Sequence, residues 1–138
     1  MSDLHLIIPG RVVSENRALR FSVVHGHVHT YRTRECTAYQ EQVQWFGRRA
    51  MGRREPLDGY LAVSLTLIAP NRSGLPDADG IAKAPLDALQ RILWANDRQI
   101  DDLRIRRLIV PGQEHRLEVA VRRLQPGELR MPGQEGDI

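Results

Sequence analysis

The segment Tyr60–Ile68 places the strongest constraint on the fold, because it reads YLAVSLTLI with β-branched and apolar residues throughout. Such a composition predicts a β-strand in a central position of a sheet. The strand should end at Ala69-Pro70, since proline interrupts regular structure. The following loop then delivers Asp77 and Asp79 just beyond the strand end, where sites in α/β proteins often form.

The rest of the chain predicts alternating strands and helices around this strand. A first helix should begin after Thr33, which can cap it, and end at Met51 before Gly52. A second helix should run from Asp79 or Gly80 to Leu93. Pro85 should either delay its start or kink it, because proline removes a helical hydrogen bond. The predicted strands are residues 4–8, a hairpin of 20–24 and 27–31 around His25-Gly26, residues 60–68, and 103–110 paired with 117–124.

This order, β-ββ-α-β-α-ββ, predicts a single-domain α/β two-layer sandwich, with two helices on one face of a mixed β-sheet. A length of 138 residues suits one domain. We assign the domain to residues 1–124 and expect residues 125–138, with two Pro-Gly pairs, to be a disordered tail. No segment is apolar over the length that a membrane span needs, and the N-terminus does not resemble a signal peptide.

The composition favours a basic protein of a reducing compartment. The single cysteine, Cys36, excludes an internal disulfide and a cysteine-based zinc site, and a cytoplasmic location is expected. The net charge is +3 and the pI about 9.6, which is compatible with a polyanionic partner. Nineteen of the 20 basic residues are arginine, and the exception is Lys83. A lone lysine suggests a position that needs an ammonium group.

Lys83 lies among carboxylates, in the order Asp77, Asp79, Lys83, Asp87 and then Asp97. Asp77 and Asp79 are two residues apart, so in an extended loop their side chains point to the same side. Asp97 follows the second helix and could return to the same strand-end cleft. Carboxylate oxygens suit a hard divalent cation, and an ammonium group can balance the charge of a phosphorane transition state. This arrangement indicates phosphodiester hydrolysis.

The segment DADGIAKAPLDAL at residues 77–89, followed by WANDRQI at 94–100, resembles the RusA family of Holliday junction resolvases. That family's pattern is D-x-D-N-x-x-K-x-x-x-D-x-L, then W-x-(D/N)-D-x-Q. Pro9 and the run Ser14-Glu-Asn16-Arg17 are similar to the family's early proline and Ser-x-Asn-Arg. The resemblance extends over residues 4 to about 124. A lone D-x-D is weak evidence, whereas the whole spaced set is specific.

The resemblance implies a homodimeric, Mg²⁺-dependent endonuclease, with Mn²⁺ as a possible substitute, that resolves four-way DNA junctions by paired symmetric nicks. It implies metal binding by Asp77, Asp79 and Asp97, a catalytic role for Lys83, branched DNA as partner, and no small-molecule cofactor. Gly80 departs from the pattern, where asparagine is usual, as do Leu75-Pro76 and Pro85. These departures leave open a second hypothesis, a non-catalytic module that binds branched DNA on the same fold.

Several local alternatives remain open from the sequence alone. Asp77 and Asp79 could form a turn and a helix cap, and Lys83 and Asp87 an exposed ion pair. Asp-x-Asp-Gly also occurs in calcium loops, but the later ligands of such a loop are absent. His25, His27 and His29 alternate on the hairpin and suit its surface, contacts to DNA phosphate, or a metal. Trp45 and Trp94 suit the core, a dimer interface or base stacking.

Arginines 48, 49, 53 and 54 near the end of the first helix suit either an interaction with the helix dipole or contact with nucleic acid. The predicted DNA contacts, for which solvated charge is the alternative, are Asn16, Arg17, Arg20, Arg72 and Arg98.

Overall fold

A four-stranded mixed sheet forms one layer of the protein in the computed structural model, which describes residues 3–14 and 19–129. The strands are β1 (Leu4–Pro9), β2 (Leu19–Val24), β3 (His27–Arg32), β4 (Leu61–Ala69), β5 (Ile100–Ile109) and β6 (Arg116–Arg123). The helices are α1 (Arg34–Met51), α2 (Ala78–Ile81) and α3 (Lys83–Leu89), with a short 3₁₀ helix at Asp97–Gln99. The predicted α/β class and element order are therefore confirmed.

The main sheet has the strand order β1-β6-β4-β5, so β4 is central as predicted. Residues Leu65–Ala69 of β4 are all buried, which fits a strand flanked by neighbours on both edges. The expectation that β5 and β6 pair directly is wrong. β4 lies between them, parallel to β5 and antiparallel to β6. The charged residues of β5 suit an edge strand, where their side chains stay in water.

Strands β2 and β3 form a separate antiparallel hairpin, as predicted. His25 and Gly26 connect them, with φ angles of 51° and 78°. Two successive positive φ angles make the two-residue turn that matches the twist of the flanking strands. Histidine accepts this conformation less readily than glycine does. The side chain of His29 lies outside the described part of the structure, so the histidine face stays a prediction.

Helix α1 covers one face of the sheet through an apolar stripe at three- and four-residue steps, in which Cys36, Tyr39 and Val43 are buried. The Thr33 hydroxyl accepts the Cys36 N–H at 3.1 Å, which caps the helix start. Gly47 allows α1 to approach the end of α3. A Cβ there would lie 2.8 Å from the Leu89 Cδ2 atom and 3.2 Å from the Leu93 Cδ1 atom.

Tyr39 carries a buried hydroxyl that has no hydrogen-bond partner in the part of the chain that the structure describes. Burial raises the pKa of this phenol above its usual value, so it stays protonated at neutral pH. An unsatisfied buried polar group costs about 1–3 kcal/mol. We therefore expect Tyr39→Phe to increase the free energy of unfolding by about 1 kcal/mol, because the ring stays and the unpaired hydroxyl is removed. Urea denaturation measures this change, and a decrease in stability would show that the hydroxyl is in fact satisfied.

The second predicted helix is divided and ends early. Ala82 separates α2 from α3 and keeps helical dihedral angles, so the helix is kinked rather than started late. Pro85 accounts for the kink, because it has no N–H to donate to the preceding turn. The predicted end at Leu93 is wrong. The chain turns extended at Gln90, and Arg91 has a φ angle of 73°, which ends the helix at Leu89.

The predicted tail lies largely outside the described residues, which end at Leu129. Within the described part, the Glu128 carboxylate accepts hydrogen bonds from Arg122 at 2.8 Å and from the Gln125 N–H at 3.0 Å. A disordered tail over 125–138 therefore stays a prediction. Among the described residues, no helix has the length and apolar character that crossing a membrane requires.

Candidate active site

Asp77 and Asp79 lie beyond the carboxyl end of β4, where the loop turns into α2. Asp77 occupies the N-cap position, but its side chain makes no capping hydrogen bond. Its backbone carbonyl instead accepts the Gly80 N–H at 2.9 Å. Both carboxylates belong to exposed residues, and Asp79 lies in the first turn of α2. The carboxylate of Asp77 is therefore not used as a helix cap, so it remains available to a ligand.

Asp77 lines a cleft of about 350 Å³ that the sequence did not reveal. The cleft has charged and polar walls from Arg11, Ser14, Glu35, Asp77 and His115. Arg11 and His115 reach it because β1 and β6 pair, with the Gly10 N–H bound to the His115 carbonyl at 2.9 Å. Partial burial and the positive charge of Arg11 lower the pKa of His115. His115 is therefore mainly neutral at pH 7. No local spacing could have linked these residues, since strand pairing alone joins them.

Lys83 begins α3, and its ammonium nitrogen lies 3.3 Å from the Asp87 carboxylate. This is the i,i+4 ion pair that the sequence left as an alternative. The Lys83 side chain is 44% exposed, so the pair contributes only about 0.3–0.5 kcal/mol. An ion pair this weak can exchange for another anion at little cost. The observed contact and a role toward a phosphate are therefore compatible.

Asp97 is held by the residues of the W-A-N-D-R-Q segment. The indole N–H of Trp94, which is fully buried, donates to the Asp97 carboxylate at 2.6 Å, and the Asp97 N–H donates to the Gln90 side chain at 2.9 Å. The Asn96 and Gln99 side chains cap the 3₁₀ helix reciprocally. The Gln99 amide also donates to the Leu57 and Gly59 carbonyls, both at 2.9 Å. The segment thus fixes one carboxylate in a defined position, which its spacing alone did not reveal.

The structure places Asp97 far from Asp77 and Asp79 within one chain. Ile100 pairs with Leu61 at the start of β4, and Ile109 pairs with Ala69 at its end. Asp97 precedes Ile100, whereas Asp77 lies beyond Ala69. The nine residues of β4 separate these positions by roughly 26 Å at ~3.3 Å per residue.

The expectation that Asp97 returns to the same cleft is therefore wrong for a single chain. Among the described residues, no three carboxylate, imidazole or thiol side chains lie close enough to hold a metal ion. The physical reason is the parallel pairing of β4 and β5. A helix that connects two parallel strands must carry the chain back along the full length of the sheet.

The predicted DNA contacts have mixed outcomes. Asn16 and Arg17 lie outside the described residues, and Arg20 belongs to β2, where its side chain is not described. Arg72 and Arg98 are exposed, in the loop after β4 and in the 3₁₀ helix respectively. Their contact with DNA stays a prediction.

The two tryptophans differ in environment. Trp94 is a core residue, as one of the sequence alternatives held. Trp45 is 54% exposed and packs edge-on against Phe46 at 4.8 Å between ring centroids.

A comparison with models of protein families shows to which family this chain belongs. The model of the family described as "Endodeoxyribonuclease RusA" matches residues 9–122, which is most of the chain. This chain belongs to the RusA endodeoxyribonuclease family. Membership supports nuclease activity and the resolution of Holliday junctions in general terms. A search of curated proteins found no match to this chain.

In this RusA-family chain, the Trp94–Asp97 contact has a measurable consequence. Trp94→Phe removes a hydrogen bond to a carboxylate, worth about 1.5–3 kcal/mol, and leaves space in the core. We expect the free energy of unfolding to fall by about 2–3 kcal/mol. Trp45→Phe is the matched control and should change stability by less than about 0.5 kcal/mol, because Trp45 is exposed. Chemical denaturation of both variants checks this, and equal losses would contradict it.

Proposed function

We propose that this protein is a divalent-cation-dependent endonuclease that resolves four-way DNA junctions by paired symmetric nicks. The observation that carries the proposal is the spaced set Asp77, Asp79, Lys83 and Asp97, which lies inside the region matched by the RusA family model. The DNA substrate and the buried thiol of Cys36 also favour a cytoplasmic location.

The donor set suits Mg²⁺, with Mn²⁺ as a substitute, since all three proposed ligands are carboxylates. Asp77 and Asp79 would hold the cation beside the cleft, and Asp97 would complete the set. When bound, such a cation supplies charge stabilisation and ionises a water molecule. The ammonium group of Lys83 would exchange its weak contact with Asp87 for the phosphate, and so offset the negative charge that develops there.

The separation of the three carboxylates supports a homodimer. One chain presents Asp77 and Asp79 at one end of β4 and Asp97 at the other, so a complete set requires a second subunit. We therefore propose that each site combines Asp77 and Asp79 of one subunit with Asp97 of the partner subunit. A two-fold dimer then carries two equivalent sites, which is what paired cuts on opposite strands need.

The arginines supply the remaining affinity in this proposal. Arg72 lies in the loop that leads to Asp77, and Arg98 directly follows Asp97. In the assembled site both would lie close to the scissile strand and contact its phosphates, together with Asn16, Arg17 and Arg20. Contacts of this kind make binding sensitive to salt.

A cleavage assay on a labelled mobile four-way junction tests the proposal, with a linear duplex of the same sequence as control. We expect symmetric nicks on the junction in Mg²⁺ or Mn²⁺, and none in EDTA or on the duplex. Tight junction binding without nicks in either metal would contradict the enzyme and support the non-catalytic binding module, which Gly80 in place of the usual asparagine leaves open.

A further inference from the structure

We propose that two copies of this chain associate through antiparallel pairing of their β5 strands, which joins the two main sheets into one. This inference rests on the proposed homodimer and identifies the surface that forms it.

β5 is an edge strand with an open side. It pairs with β4 on one side only, and no described segment of the chain pairs with the other side. The Val110 N–H donates to the Ala69 carbonyl, so the alternate residues Leu103, Ile105 and Arg107 direct their backbone groups toward the open side. An edge of ten residues with unpaired N–H and C=O groups is a template for another strand.

The side chains of β5 are also poorly covered for a strand of this length. None of its ten residues is buried. Leu103 and Leu108 are 41% and 42% exposed, and Val110, which follows the strand, is 38% exposed. Leu103 and Leu108 lie on opposite faces of the sheet, so a strand added at this edge would cover apolar surface on both faces.

The charge pattern of β5 is self-complementary when the strand meets a copy of itself in the opposite direction. Its first half carries Asp101 and Asp102, and its second half carries Arg106 and Arg107. Charged side chains on an edge strand, lysine especially, usually discourage pairing. Here the two halves carry opposite signs, so an antiparallel copy is attracted, whereas a parallel copy is repelled.

The charge pattern also favours a two-fold axis at Arg104 over one at Ile105. With the two-fold axis at Arg104, Asp102 lies opposite Arg106 of the partner subunit, on the face away from the helices. On the helix face, Leu103 lies opposite Ile105 of the partner subunit, and both direct their backbone groups to the open edge. Arg104 meets its own copy at the axis, and its charge is already offset by Asp102, with which it makes a 3.3 Å ion pair. Moving the axis to Ile105 would instead oppose Arg104 and Arg106, which repel each other.

This pairing also accounts for the divided carboxylates. In an antiparallel pair, the start of one β5 lies beside the end of the other. Asp97 lies just before the start of β5. Asp77 lies near its end, where Arg107 donates to the Pro76 carbonyl at 3.3 Å. The two-fold operation therefore brings Asp97 of each subunit toward the Asp77 and Asp79 pair of the partner.

Cysteine cross-linking tests the register directly. Arg104→Cys places two thiols opposite each other at the axis, where a non-hydrogen-bonded pair has Cα atoms about 4.5 Å apart, within disulfide range. With oxidised glutathione we expect covalent dimers on a non-reducing denaturing gel. Leu108→Cys is the matched control on the same face of the same strand, and its two copies would lie roughly 27 Å apart and stay unlinked. The unmodified chain gives the background, because Cys36 is buried.

Charge reversal provides an independent measurement. Asp102→Arg and Arg106→Asp should each shift sedimentation toward the monomer, and the double variant should restore the dimer. Equal cross-linking of the two cysteine variants, no cross-link in Arg104→Cys, or no restoration by the double variant would each overturn the proposed β5 pairing with its axis at Arg104. None of these readouts depends on cleavage, so junction cleavage measured on the same unmodified protein judges the proposed function separately.

Discussion

Replacing Asp79 by asparagine is expected to lower metal-dependent junction cleavage by about 10³-fold or more. A metal site contributes several kcal/mol of charge stabilisation, and each ~1.4 kcal/mol corresponds to tenfold in rate. Asparagine keeps the size of the side chain but removes the negative charge that the cation requires. The Asp79 side chain is exposed, so the fold should not change.

Single-turnover cleavage and gel-shift binding with the same labelled junction measure the two effects separately. Binding should stay within about threefold of the unmodified protein. The substitution removes a carboxylate, which repels phosphate, and leaves every cationic contact with the DNA in place. Asp58→Asn is the matched control, because its carboxylate is 92% exposed and contacts Arg123. It should cleave normally. A normal cleavage rate in the Asp79 variant would remove this residue from the site.

Mixing two inactive variants is expected to restore nicking if each site is shared between subunits. Asp77→Asn and Asp97→Asn should each be inactive alone, because every site then lacks one carboxylate. In a mixed dimer, one site takes both substitutions and the other takes neither. With free exchange about half of the dimers are mixed, so about a quarter of all sites are intact.

The mixed dimers carry one working site each, so they should nick one strand of a junction rather than make paired cuts. Co-expression with two different affinity tags isolates them for this assay. The matched control is Asp77→Asn mixed with Asp79→Asn. Both substitutions then affect the same end of a chain, every site is defective, and no activity should return. Recovery in the control, or none in the test mixture, would refute a shared site.

The local elements of this protein could be predicted from the sequence with good accuracy. Helix α1 follows from the Thr33 cap, an apolar stripe and Gly52, and the hairpin follows from two β-rich runs around His25-Gly26. These signals are local, since caps, periodicity and turns involve residues within a few positions. The kink before α3 is one of the two outcomes that Pro85 predicts, because a proline acts on its own turn.

The long-range arrangement could not be predicted in the same way. The pairing of β5 with β6 was wrong, because adjacency along the chain does not show that β4 inserts between them. The cleft residues Arg11 and His115 were missed, since the β1–β6 pairing joins segments more than 100 positions apart. The fixed position of Asp97 depends on the buried Trp94 and on Gln90, and neither contact can be read from spacing.

The sequence by itself determined which groups are available for chemistry: a spaced set of three carboxylates and the single lysine, in a pattern specific enough to predict the RusA family. Only the tertiary structure decided where these groups lie. Parallel pairing of β4 with β5 separates Asp97 from Asp77 by the length of a strand, because the connecting helices must return the chain to the opposite end of the sheet. Residue spacing fixes distances along the chain, whereas strand direction fixes distances in space.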